Sequence, residues 1–163
     1  MSKPLRGARG VSGQQNPCGR GATTDPPVIW SAAVGRPAYA QSLRRVPESV
    51  RAARRLVSAA LRAWGLEELE DTAWVVVSEL MSNAVVHARL RTVRVTVTLL
   101  DEGVVRVAVV DRSRQVPWVK AADVDDESGR GLAMVAALSW GRWGVDPLRW
   151  GKRVWADLEA ERG

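Results

Sequence analysis

The feature that most limits the fold of this chain is a change of hydrophobic period near residue 92. Before it, apolar residues recur at helical spacing in two successive segments. In the first, Val50, Ala53, Val57, Ala60, Leu61 and Trp64 share one face. Pro47 opens that segment, where a missing N–H costs nothing, Glu48 suits the positive end of the helix dipole, and Gly65 closes it. Arg51, Arg55 and Arg62 share another face. The second segment starts near Glu67 with an acidic first turn and runs to about Ala88. Its apolar residues, from Leu69 to Val85, cover more than one side, so this helix is predicted to be largely buried. After the change, Val93, Val95, Val97 and Leu99 alternate with Arg94, Thr96 and Thr98, which is strand spacing.

The remaining elements follow from turns and composition. Asp101-Glu102-Gly103 reads as a tight turn into a second, more apolar strand, Val104–Val110, placed centrally. Residues 112–128 read as a long polar loop, a lid, carrying Pro117 and the acidic residues Asp123, Asp125, Asp126 and Glu127. A helix is expected over 132–138, then strands near 139–145 and 150–158 joined by a turn at Asp146-Pro147. Residues 37–45 suit a short edge strand starting at Pro37. The sum is an α+β, two-layer sandwich: a mostly antiparallel mixed sheet with helices on one face.

A chain of 163 residues makes one domain. Residues 1–36 are rich in Gly, Pro, Ser, Gln and Arg and bury too little to offset ordering entropy. They are expected to be a flexible basic tail, with a short ordered piece near Val28-Ile29-Trp30, leaving 37–160 as the folded domain. The net charge of +6 divides unevenly: residues 1–62 hold eleven basic and two acidic residues, and residues 63–163 hold thirteen and sixteen. The excess belongs to the leading segment and first helix, which argues against a nucleic-acid-binding domain. Cys18 is the lone cysteine and His87 the lone histidine, so an internal disulfide and a Cys/His metal cluster are excluded. No apolar run suits a signal peptide or a membrane helix, and a cytoplasmic protein is the default expectation. Trp64, Trp74, Trp140 and Trp155 are expected in or near the core, and Trp118 in the lid.

Three features carry chemistry. Glu79, Asn83 and His87 lie four apart on one stripe of the second helix. On spacing alone they read equally as polar positions on a half-exposed face or as a site. Asp111 ends the central strand and is followed by Ser113. It is either a turn former or a carboxylate at the mouth of a pocket, able to accept from an exocyclic amine such as adenine's. Gly129-Arg130-Gly131-Leu132 opens a helix, where glycines admit a phosphate to free N–H groups. A lone Gly-x-Gly is weak, and the third glycine of a dinucleotide-binding fingerprint is absent.

Taken in order, these stretches resemble the ATP-binding fold of the gyrase, Hsp90, histidine-kinase and MutL superfamily, and more closely its small anti-sigma-factor serine/threonine kinase branch. The resemblance rests on Ser78–Ala88, Val109–Ser113, Ser128–Val135 and Trp150–Trp155. It implies that Asn83 coordinates Mg²⁺ bridging the ATP phosphates and that Glu79 is the general base toward an attacking hydroxyl. His87 would lie near the phosphates, Asp111 with Ser113 at the adenine, Gly129 through Leu132 around the phosphates, and Gly151 near the base pocket. Two departures stand out. The family's Asp-x-Gly-x-Gly box runs Asp111-Arg-Ser113-Arg-Gln115, and a Thr common after the last glycine is Lys152. The resemblance further implies a sigma factor and an anti-anti-sigma protein as partners, and a tendency to form homodimers. A non-catalytic regulatory module of the same fold is the alternative.

Overall fold

The computed structural model describes residues 28–31, 35–87, 91–112 and 127–161. Cys18, Ser113, Gln115, Trp118 and the lid over 113–126 lie outside the described residues. In chain order the elements are β1 (Val28–Ser31), β2 (Pro37–Arg44), α1 (Ser49–Ala63), α2 (Glu70–His87), β3 (Thr92–Asp101), β4 (Val104–Asp111), α3 (Glu127–Leu138), β5 (Trp143–Leu148) and β6 (Gly151–Glu159). A single 3₁₀ turn, Glu67–Leu69, leads into α2.

The strands form one sheet in the order β1-β2-β3-β4-β6-β5. Every pairing among the described residues is antiparallel, so no parallel pair makes the sheet mixed. β4 is interior, as its apolar run predicts. β2 is not an edge strand: β1 pairs with it through Val28↔Ala40 to Ser31↔Pro37.

Alternation sorts the sheet into two faces. Val93, Val95 and Val97 of β3, Val105, Val107 and Val109 of β4, and Val154, Ala156 and Leu158 of β6 point into one core. That core also takes Leu56, Val57 and Leu61 from α1 and Val76, Val77, Leu80 and Met81 from α2. The helices therefore cover one face, and Leu80 or Leu61 cut to alanine would cost about 2–5 kcal/mol. The opposite face mixes small apolar residues, Ala38, Ala40 and Ala108, with charged pairs. Arg106 lies over the Trp155 ring at 3.8 Å and pairs with Asp157, while Arg153 pairs with Asp146.

α1 and α3 end alike. After α1, the N–H of Leu66 donates to Leu61 O and that of Gly65 to Arg62 O; after α3, the N–H of Gly141 donates to Ala136 O and that of Trp140 to Ala137 O. Both are Schellman endings, which place one residue in the left-handed region. At α1 that residue is Gly65, with φ 68°; at α3 it is Trp140, with φ 52°. Trp140 is 85% exposed and not a core residue as its sequence position suggests. Trp74 is also partly exposed, and Trp155 lies on the helix-free face.

Three boundaries differ from the sequence reading: β5 begins at Trp143 and not near 139, because residues 139–142 form the ending of α3. α3 begins at Glu127, five residues before the expected start, so Gly129-Arg130-Gly131 lies inside its first turn and a half. The β5–β6 turn falls at Arg149-Trp150, and Asp146 and Pro147 belong to β5. Asp146 is held there by N–H groups of Arg153 and Trp155, and an outer strand tolerates a proline because its missing donor faces away from the ladder.

Candidate functional site

Glu79 and Asn83 occupy successive turns of α2, both half-buried. α2 packs against α3, and at Gly131 an added Cβ would overlap the Glu79 carboxylate. The glycine thus has a packing reason as well as any phosphate-approach reason. Gly129, two residues earlier, differs: a Cβ there would meet only open space. A glycine inside a helix costs about 1 kcal/mol relative to alanine, and no protein neighbour requires this one. Because α3 begins at Glu127, its unpaired N–H groups belong to its first residues, through Gly129. The N–H groups of Arg130, Gly131 and Leu132 fall within the helical ladder instead, and the Leu132 side chain is buried in the packing. Arg130 is exposed. His87 is the last residue of α2, and its side chain lies outside the described part of the structure.

The amide nitrogen of Asn83 is buried and has no hydrogen-bond partner among the described residues. A buried donor left unpaired costs about 1–3 kcal/mol, so this amide calls for a partner beyond the described residues. Swapping the amide ends would turn its oxygen toward the same space. No group of three or more His, Cys, Asp or Glu gathers among the described residues. A single amide oxygen next to a carboxylate nevertheless suits Mg²⁺, which usually keeps several waters and takes substrate phosphates as ligands.

Asp111 ends β4 with 2% exposure, and Gly151 opens β6 beside it. An added Cβ at Gly151 would overlap the Asp111 carbonyl oxygen and crowd Arg112 Cα, so only glycine admits this approach of the two strands. The register sets Asp111 directly opposite Lys152, and the Lys152 Nζ lies 3.3 Å from Asp111 Oδ2. Lys152 is 4% exposed. Beside this pair the Arg112 guanidinium sits 5.2 Å over the Trp150 ring. The contact with Lys152 was not foreseen from the sequence. The signal for it is the β4–β6 alternation, which fixes 111 against 152 once the strands are paired.

The arrangement divides along the helix-covered face. The Glu79 carboxylate meets the start of α3 one turn from the Asn83 amide, and a buried carboxylate with its ammonium ends the sheet core. Helices over one face of an antiparallel sheet define a two-layer α+β sandwich, with these polar groups at the strand and helix ends. The sequence profile of the histidine kinase-like ATPase domain matches residues 43–141, more than half of the chain. The chain belongs to this family of ATP-binding domains. The match takes in Glu79, Asn83, Asp111 and the start of α3 and stops before the β5–β6 hairpin. No curated protein matches the chain significantly. No helix among the described residues is long and apolar enough to cross a membrane.

A concavity lies between α1 and α2. It encloses about 410 Å³ and is lined by Arg51, Arg54, Arg55, Arg62, Ser58 and Trp74, among others. Ser58 Oγ donates to Glu70 Oε1 at 2.5 Å and accepts the Trp74 indole N–H at 2.8 Å. Arg54 donates to Ser78 Oγ, and Arg62 pairs with Glu70 at 3.2 Å. The arginines of α1 are all exposed.

Proposed function

We propose that the protein is an ATP-dependent serine/threonine protein kinase of the anti-sigma type. It would regulate transcription by binding a sigma factor and phosphorylating an anti-anti-sigma protein. The observation that carries this reading is the placement of Glu79 one turn from Asn83, against the start of α3. A helix start with free N–H groups suits phosphates, and a carboxylate in contact with it suits a general base. Phosphoryl transfer asks mostly for positioning and charge neutralisation.

Bound Mg²⁺–ATP supplies the γ-phosphoryl group and the neutralising charge. Asn83 would hold the metal through its amide oxygen. Glu79 accepts the proton of the attacking serine or threonine hydroxyl. The first N–H groups of α3, with Gly129 open beside them, face the phosphates. Asp111 takes the adenine amine, and Gly151 keeps β6 close to it. The exposed arginines of α1 suit a partner with an acidic surface.

The test is a binding and transfer pair. With Mg²⁺, ATP raises the melting temperature of the wild type, and Asn83→Ala removes the shift. Glu79→Ala keeps the shift and loses transfer of labelled phosphate to partner proteins. ATP binding without transfer by the wild type selects the non-catalytic regulatory module instead. No ATP-dependent shift at all removes the kinase reading.

A further inference from the structure

Asp111 and Lys152 are directly opposed in the β4–β6 register. Opposed residues of an antiparallel pair put their side chains on the same face. Here it is the helix-covered face, because Val109 and Val154, two residues along each strand, belong to the core. The two side chains are 2% and 5% exposed, with Nζ 3.3 Å from Oδ2. The core therefore ends in an acceptor and a donor side by side. A buried ion pair is usually no more stable than apolar residues of the same volume, so stability alone is a poor account of it.

We propose that Lys152 sets the base selectivity of the nucleotide site, opening it to 6-oxopurine nucleotides as well as adenine nucleotides; this rests on reading Asp111 as the residue that meets the base. A buried carboxylate alone offers only lone pairs. It takes the amine of adenine and meets a 6-oxo group lone pair against lone pair. A site built to pair with one polar group rejects an analogue lacking it by roughly 10⁴–10⁵-fold, because buried groups are left unpaired. An ammonium beside the carboxylate changes this. Lys152 donates to O6 of hypoxanthine or guanine while Asp111 accepts from the adjacent N1–H. With adenine the couple keeps the same order one ring position along the edge: Lys152 donates to N7 and Asp111 accepts from the amine. Each base edge sets a donor beside an acceptor, and the protein supplies the complement to both.

The test compares ATP with ITP, which carries the 6-oxo group and no 2-amino group, on the full chain with Mg²⁺. Binding is read by calorimetry and by tryptophan fluorescence, since Trp150 neighbours the site. The wild type is expected to bind the two within about a hundredfold, against the roughly 10⁴-fold or more that a lone carboxylate would give. Lys152→Met should raise the preference for ATP at least about tenfold, and Lys152→Arg, which keeps cationic donors, should leave it near the wild-type value. A wild type that binds ATP but prefers it to ITP by more than about a hundredfold overturns the proposal, as does an unchanged ratio in folded Lys152→Met. The wild-type comparison decides the matter even where Lys152→Met does not fold. If the wild type binds neither nucleotide, the nucleotide site itself fails and the base-selectivity proposal goes with it.

Discussion

Gly131 and Glu79 share a space that only one of them can fill: a Cβ on the α3 glycine would stand where the α2 carboxylate oxygen is. The obstructing atom is the free end of a flexible side chain. Gly131→Ala is therefore expected to fold normally, with the helix gaining up to about 1 kcal/mol of propensity. The displaced carboxylate should lower phosphoryl transfer at least about tenfold, the loss that follows from a misplaced catalytic group. Thermal melting and labelled-phosphate transfer, run on the same preparation, check both halves.

Gly151 gives the opposite outcome. The atoms that a Cβ would strike belong to the backbone of Asp111 and Arg112, and neither can swing aside. Gly151→Ala is expected to destabilise the domain by about 1–3 kcal/mol or more, as overpacking does. A lower denaturant midpoint with an unchanged slope is the signature. A midpoint equal to that of the wild type would mean that β6 and β4 are further apart than described.

Trp140 sits where Gly65 sits in the other Schellman ending, yet it carries a large exposed side chain at φ 52°. The left-handed conformation costs a non-glycine residue about 1–2 kcal/mol. Trp140→Gly should remove most of this and raise the melting temperature. A drop would show that the indole makes contacts that matter more than the backbone.

Asp146 governs part of the acid response. Burial pushes its carboxyl up, but the hydrogen bonds from Arg153 and Trp155, with the charges of Arg153 and Arg106, outweigh that and hold it below the usual range. A carboxylate depressed in the folded state contributes stability above its unfolded value of about 3.9 and loses it as the pH falls through the folded value. The side chain is 38% exposed, so the contribution is under about 1 kcal/mol. Stability measured from pH 6 down to pH 2 should fall less steeply in Asp146→Asn than in the wild type.

The fold was legible wherever a period ran for several residues. The helical stripes of α1 and α2 and the alternation of β3 and β4 set which residues enter the core, and the α2 motif put Glu79 and Asn83 one turn apart. Places governed by contacts distant in sequence were not legible. Gly129 and Gly131 read as residues before a helix because glycine disfavours helices, yet Gly131 is inside one, with Glu79 filling its empty side. Asp146-Pro147 reads as a turn, but Arg153 and Trp155 hold the aspartate in a strand. Lys152 carries no local sign of its role; the sign appears only when β6 is laid against β4.

Pro147 has one more effect. β5 is the outer strand on its side of the sheet, and its exposed rim is where a strand from another chain would attach. Proline offers no N–H, so an incoming strand would find a carbonyl without a donor in the second half of β5. Sheet extension and edge-to-edge aggregation are discouraged on that side by a single ring, in a position that looked from sequence like a place for the chain to reverse.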